Sequence, residues 1–550
     1  MLGQTALLTG LLAASMASAS DCRCFPGDPC WPSQEDWATH RAAGDDMPRS
    51  RVQRNDMPEA PRAMDPSGAP VSLSPMNGRA RVPNRAAMTP RRRSWPPGSP
   101  TAPAIPSTRN PRPAPWGNYV VYAVDVARPE HVSRTLRFAH DRNIRLSTGA
   151  GALAIWTHNL KHIEIQNYRD RHYHGKAIKM GTGVQGVEAY AAADAAGLQV
   201  VGGECPSVGI AGRYRQGGGH SALSSRYGLG ADQTLAWEVI DGRGNFITAT
   251  RDNQFSHLYW ALSGGGGGTY AIVWSLTSKA HPGSPVSGLN LSYTSHGIAR
   301  DTFYETLSLW QSVLPAVVDA GAVAVWAFTN TSFTLSPLTG PDIPVADLTA
   351  LVKPFTDGLS QRGIRYASYA EQFDGYLAQF HRMQAPIKVG VSQYGGWLIP
   401  RVVVAANNDG LTATYRRIVE DGATVVGVGV NVSRVGEVDN AVLPAWRQAL
   451  IHNVVATSWE WDSTARMLAA QRTMTDDYIS ALRQLAPDSG AYMNEADFRQ
   501  PDYQRYFFGD HYAALRQIKA KYDPGDVFYA ATAVGSDEWT VQGDGRLCRV

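Results

Sequence analysis

The chain has 550 residues, 43% of them hydrophobic and 18% charged, with a net charge of only +3. A chain this long buries a large core and has room for two or three domains. The near-neutral balance gives no basis for a nucleic-acid partner or a polybasic membrane patch. Past its start, no apolar run reaches the roughly 18 positions that a membrane helix requires.

Taken in order, Leu2 to Ala19 is apolar and ends in Ala17-Ser18-Ala19, a small-x-small pattern. It reads as a secretory signal peptide lacking a basic first region; the alternative is a buried first helix. Residues 20–115 follow as a separate tail. Cys22, Cys24, Cys30 and Cys548 lie at the two ends of the mature chain, where an oxidising compartment would pair them. One arrangement staples the N-terminal tail to Cys548, but spacing leaves the connectivity open. Cys205 is then the odd thiol, and a free thiol in a secreted protein calls for a reason. Sequons at Asn290, Asn330 and Asn431 agree with secretion. From about Arg41 to Pro115 the chain is dense in Pro, Arg, Met and Ser, with neither a helical nor a strand period. This stretch is expected to be disordered, as a linker, a basic tail or an out-of-frame product.

Ordered structure is expected from Tyr119, in a unit spanning residues 116–284. Val120–Val124 reads as a strand, followed by an amphipathic helix through Val132, Leu136 and Phe138, then a strand at Asn143–Leu146. Strand–helix–strand predicts a parallel pair. Further strands are expected at Ile163–Ile165, Ala177–Met180 and Leu198–Val201, with an Ala-rich helix over Val184–Ala196. A second α+β unit, 285–490, is expected to alternate helices (Asp301–Val318, Val345–Gly358) with strands (Val323–Trp326, Leu398–Val404). The tail, 491–550, changes character and is expected to return to the first unit.

Two glycine-rich stretches carry the chemistry. Gly202-Gly203-Glu204-Cys205-Pro206-Ser207-Val208-Gly209 continues through Gly212 to Gln216-Gly217-Gly218-Gly219-His220-Ser221, and Tyr227-Gly228-Leu229-Gly230-Ala231-Asp232 follows. Trp260 to Tyr270 contains five consecutive glycines and precedes the strand that includes Ile272. Glycines let backbone N–H groups approach a ligand closely, as lining a phosphate or a flat ring requires. An unpaired Cys inside such a run is a stronger sign than the glycines alone.

With Tyr492-Met493-Asn494-Glu495-Ala496-Asp497-Phe498 in the tail, these motifs resemble the FAD oxidoreductases of the vanillyl-alcohol-oxidase and p-cresol-methylhydroxylase type. Within them the chain is similar to the secreted fungal relatives of berberine bridge enzyme. The resemblance covers 118–550 and 22–37. It implies an α+β fold: a two-subdomain FAD-binding domain, a substrate domain with an antiparallel sheet, and a tail returning to the FAD domain. It also implies hydride transfer from an alcohol, sugar or secondary metabolite to flavin N5, with O2 as acceptor and no metal. By position it assigns Cys205 to a thioether with flavin C6, an unpaired thiolate being a competent nucleophile; an inert buried thiol is the alternative. Pro206, Ser207, Val208, Gly209, Gly212, Gly217, Gly218, His220, Gly228, Leu229, Asp232 and Ile272 would line the cofactor. Glu495 takes the place of a family Tyr as base, with Tyr492 and Asn494 positioning it. The family's second anchor, a His in a loop after the strand matching Asn143–Leu146, has no counterpart: Leu146 runs directly into Ser147-Thr148-Gly149-Ala150-Gly151-Ala152-Leu153. The competing expectation is therefore an FAD-deficient, inactive relative. Oligomeric state is left open.

Overall fold

Two antiparallel sheets and a small parallel unit carry the chain in a computed structural model, which describes residues 21–42, 120–146, 149–384, 392–436, 438–458 and 463–550. The signal-peptide stretch, most of the Pro/Arg-rich segment, and Ser147 and Thr148 lie outside the described residues.

In the parallel unit, Tyr122–Asp125 pairs with Leu153–Trp156, register Tyr122↔Leu153 to Asp125↔Trp156. The helix Pro129–Asp141 connects them, with Pro at its first turn and Val132, Leu136 and Ala139 buried. The expected pairing with Asn143–Leu146 is corrected here. Ile144 and Leu146 make only single bridges, to Cys24 and Leu153. Asn143 adopts a left-handed φ of 49° directly after the helix, so too little extended chain remains there for a ladder, whereas Leu153–Trp156 offers four consecutive pairs.

The N-terminal tail packs onto this unit. Trp37 stacks against Tyr122 at 4.3 Å and Phe138 at 4.9 Å. Disulfides join Cys22 to Cys548 and Cys24 to Cys30, leaving Cys205 as the free thiol.

A five-stranded antiparallel sheet follows in the spatial order Ile163–Arg169, His174–Gly181, Ala271–Lys279, Thr234–Asp241, Phe246–Thr250. Helix Gly186–Asp194 begins with a capping box in which Gln185 and Glu188 satisfy each other's backbone N–H groups. The expected strand at Leu198–Val201 is shorter, Leu198–Gln199, paired with His281–Pro282.

The second sheet has seven antiparallel strands in the order Ala367–Phe373, Val286–Thr294, Ser332–Pro341, Val323–Phe328, Thr424–Gly429, Ala449–Ser458, Ser392–Pro400. Helices Arg300–Asp319, Val345–Gln361 and Arg401–Glu420 pack against it. The valines read as the end of a strand at Val402–Val404 instead open the last of these helices. Pro400 terminates the strand and sits at the helix N-cap, because its ring cannot donate to the ladder yet suits a helix start. The tail does return to the first domain. Helix Tyr512–Tyr522 packs on Ser256–Leu262, and buried Lys519 bonds Asp523 at 2.7 Å, Phe528 O at 3.0 Å and Thr269 O at 3.3 Å. Among the described residues, no helix is long and apolar enough to cross a membrane.

Candidate active site

Three distant stretches of chain converge behind the first glycine run. Gly217 lies so close to the tail that a Cβ there would fall 2.5 Å from Asn494 Nδ2. Asn494 Nδ2 donates to Arg213 O at 2.9 Å and to the Tyr492 hydroxyl at 2.7 Å. Gly218 and Gly219 have φ of 112° and 77°, conformations natural only to glycine, and the chain then delivers His220 to the tail. His220 Nε2 lies 3.1 Å from Glu495 Oε1. From the second sheet, His452 Nε2 reaches Glu495 Oε2 at 2.8 Å. The result is a His220–Glu495–His452 array, flanked by Tyr492 and Trp446 with ring centroids 5.4 to 6.4 Å from those of the two histidines.

Both histidines are buried, whereas Glu495 keeps 39% of its side chain accessible, so Glu495 is the member a small molecule can reach. Burial opposes charge on His220, but the Glu495 carboxylate, the bond to it and nearby Glu204 outweigh burial and push His220 up to about 9. Burial alone would raise Glu495; the two rings bonded to it instead hold it well below the usual carboxylate range. His452 is lowered by burial, which its bond to Glu495 only partly offsets. At neutral pH the array therefore holds one imidazolium, one carboxylate and one neutral imidazole. Tyr492 is raised, first by burial and then by the Glu495 charge, and stays a neutral phenol.

The three ligand atoms lie within 4.8 Å of one another, a set that could chelate a cation. A ligating imidazole, however, almost always passes its other N–H to an acceptor, and Nδ1 of both rings is buried with no hydrogen-bond partner. The donor set fits a hydrogen-bonded array better than a metal centre.

Cys205 sits on the adjoining loop, half-buried, with its sulfur 3.6 Å from Ser207 Oγ. Pro206, Val208 and Gly209 share that loop. Its neighbour Glu204 is pushed up from the ordinary carboxylate value by burial, with His220 opposing and Glu495 adding to the rise, and Glu204 Oε1 is buried with no partner. The thiol loop and the array thus share one electrostatic neighbourhood. Added side chains at Gly212 and Gly268 would meet nothing within 4 Å, so both glycine runs border open space.

Other expected ligands are placed differently. The Asp232 carboxylate is taken up by Arg447 (2.7 and 2.8 Å), by Asn440 Nδ2 (2.7 Å) and by Leu229 N (2.8 Å). Both its oxygens link the two domains instead of facing a ligand. Leu229 is fully buried in an apolar cluster with Val323, Leu398 and Trp446. A Cβ on Gly228 would meet Asp232 Oδ2 at 2.6 Å. Ile272 pairs with Ile240 and packs its side chain against the parallel unit. His452, Glu204 and Arg447 were not singled out in the sequence; the only local trace of His452 is a polar His-Asn pair inside an otherwise apolar strand.

At the other end of this domain, six residues separate Leu146 from Leu153. Leu153 N donates to Arg145 O at 2.9 Å. Arg145 folds over Gly149, its guanidinium carbon 2.2 Å from where a Cβ there would stand.

This architecture and site define a flavoprotein oxidoreductase class, and comparison with known proteins agrees. Residues 491–535 match the family described as berberine and berberine like. An FAD-linked oxidoreductase, patO, of Aspergillus clavatus is 43% identical over 97% of this chain and 95% of its own. The solved VAO-type flavoprotein MtVAO615 of Myceliophthora thermophila C1 is 31% identical, covering 96% of this chain and 100% of its own, with a TM-score of 0.82. A more distant match in fold (16% identity, 76% of this chain and 92% of its own, TM-score 0.64) is the glucooligosaccharide oxidase of Acremonium strictum, described with a 6-S-cysteinyl, 8α-N1-histidyl FAD. The chain belongs to the FAD-linked oxidoreductases of the VAO type, in their berberine-like branch. The ring end of the site fits that cofactor: a free, half-exposed thiol, glycine walls bordering space, and orphaned polar atoms on Glu204, Gln216 and His220.

Proposed function

We propose that the chain is a secreted oxidase that removes hydrogen from an alcohol, sugar or secondary metabolite, with dioxygen as final acceptor. The carrying observation is the convergence of the tail carboxylate Glu495 with His220 and His452 beside the Cys205 loop. FAD supplies hydride acceptance at N5 and return of two electrons to dioxygen as peroxide. Cys205 would hold the ring covalently, with Pro206 to Gly209 and Gly217 to His220 around it.

The rest falls to the chain's own residues. A carboxylate clamped by an imidazolium is by itself a weak base, since its charge is already neutralised. Glu495 therefore takes the substrate hydroxyl proton together with neutral His452, which shares its second oxygen. His220 stays charged and fixes the first oxygen. Tyr492, bonded through its hydroxyl to Asn494, walls one side of the array. Secretion is supported by the two disulfides and by the leader-like start.

The test is a purified sample offered a panel of primary alcohols, sugars and phenolic metabolites, with peroxide measured. Peroxide release, and loss of that release in Glu495→Gln, supports the reading; a yellow protein that reduces only an artificial acceptor removes dioxygen from it. The sequence after Leu146, which reaches Leu153 without a histidine, favours a second reading, an FAD-deficient relative, and a colourless protein that FAD cannot reconstitute would establish it.

A further inference from the structure

The loop that carries Cys205 is held almost entirely by its carbonyl groups. Tyr190 Oη donates to Gly203 O at 2.6 Å. Val208 N donates to Cys205 O at 3.2 Å, Val187 N to Pro206 O at 3.2 Å, and Gly186 N to Val208 O at 2.9 Å. Gln185 Nε2 donates to Ser207 O at 2.8 Å. Four of these five bonds come from the segment 185–190, two from backbone N–H groups and two from side chains, so helix Gly186–Asp194 acts as a rack on which the loop hangs. Holding the Gly203–Glu204 and Cys205–Pro206 peptide planes brackets Cys205 and limits the direction of its Cα–Cβ bond, and with it the arc its sulfur can sweep.

Tyr190 differs from the other holders because it also reaches the second domain. Its ring meets Tyr376 edge-on at 5.3 Å and Phe380 at 5.2 Å, both on helix Tyr376–Met383. The chain makes room for it: a Cβ on Gly202 would lie 2.4 Å from the Tyr190 hydroxyl oxygen. No other donor to Gly203 O is present among the described residues.

We propose that Tyr190 is the positioning residue of Cys205, setting the thiol's place against the flavin ring and tying that place to the seating of helix Tyr376–Met383. This rests on Cys205 as the flavin anchor. Attachment would replace the Cys205 S–H and the ring C6–H bonds with one C6–S bond; the two protons and two electrons released reduce dioxygen to hydrogen peroxide. None of that chemistry needs Tyr190, but a sulfur a few tenths of an ångström out of line attacks less often.

The test uses the full chain with Tyr190→Phe, which keeps the ring packing and deletes only the donor, and Gln185→Leu, which unhooks Ser207 O at the loop's far side. Two quantities are read: the alkylation rate of Cys205 by iodoacetamide in FAD-free protein, and the fraction of flavin retained on the polypeptide after acid precipitation. A net hydrogen bond of about 1 kcal/mol makes the loosened loop about fivefold more available, so alkylation by the free reagent speeds up by about that factor while covalent flavin falls. An unchanged melting temperature separates positioning from general destabilisation, which would give the same two signs with a lowered melting temperature. Both quantities within twofold of the parent in the two variants would overturn the proposal. If Tyr190→Phe does not fold, Phe380→Leu, which removes a ring that seats Tyr190, decides it by the same two quantities. Faster alkylation in a protein whose parent never carries covalent flavin would uphold the clamp and sink the anchor.

Discussion

At the ring end of the flavin domain, residues 202–232 are locked to a substrate-domain strand and to the tail by bonds spanning hundreds of positions, such as His220 to Glu495 and Asn494 to Arg213. At the other end of that domain, only six residues separate Leu146 from Leu153, and Leu153 N donates to Arg145 O. One end is long-range and presents a free thiol, orphaned acceptors and bare glycines. The other is local and offers no histidine. On the proposed reading, retention of the cofactor comes from the ring end, and that asymmetry can be broken by experiment.

The largest effect is expected from Cys205→Ser. With no second anchor between Arg145 and Leu153, flavin fluorescence on the denatured polypeptide should vanish altogether; a residual covalent band would mean the other end contributes an anchor after all. Next is Glu495→Gln, which removes the only accessible member of the array. Turnover of any accepted alcohol should fall by about 10²- to 10⁴-fold, measured as peroxide release, and a loss below tenfold would place the base elsewhere. A smaller effect, on stability, tests whether the tail clasps both ends. Lys519 bonds Thr269 beside the second glycine run and Phe528 beside the parallel unit, and its charge is met by buried Asp523. Asp523→Asn strands that charge and should cost about 3 kcal/mol in chemical unfolding. A cost near zero would mean that Asp526, 3.6 Å from the same amine, replaces it.

The sequence made much of this legible, for reasons that differ by region. Helices with a clear apolar period emerged within a few residues of expectation, as with Arg300–Asp319 and Val345–Gln361. At Pro400 the three following valines favour a strand, but the proline cannot donate to a ladder and starts a helix instead. Glycine runs announced a ring-binding wall, yet they could not say which nearby polar groups face it. Asp232 sits in the right stretch, but its partners Asn440 and Arg447 are more than 200 positions away. His452 carried no motif: its role exists only because the strand Ala449–Ser458 brings it against the tail.

The last prediction concerns pH, and its sign follows from the array at the ring end. His220 rises from an ordinary 6.5 to about 9, so the folded state binds a proton more tightly than the unfolded chain. Its contribution is fully present below 6.5 and is lost as pH climbs from 6.5 through 9. His452 is lowered from 6.5, so its contribution is present above 6.5 and is lost as pH falls below that value. Glu495 is lowered from 4.5 and adds a further loss below 4.5. The groups facing His220 are Glu495, Glu204, His452 and Tyr492. Of these, Tyr492 stays neutral, and raised Glu204 adds a loss of the same sign as pH climbs above 4.5, so His220 sets the part of the alkaline slope that its removal abolishes. The melting temperature should decline on the alkaline side of 6.5, and His220→Asn should flatten that decline and, by releasing Glu495, also shrink the loss below 4.5. An alkaline slope unchanged by His220→Asn would show that the imidazolium is not held by the tail, and the ring end would lose its long-range lock.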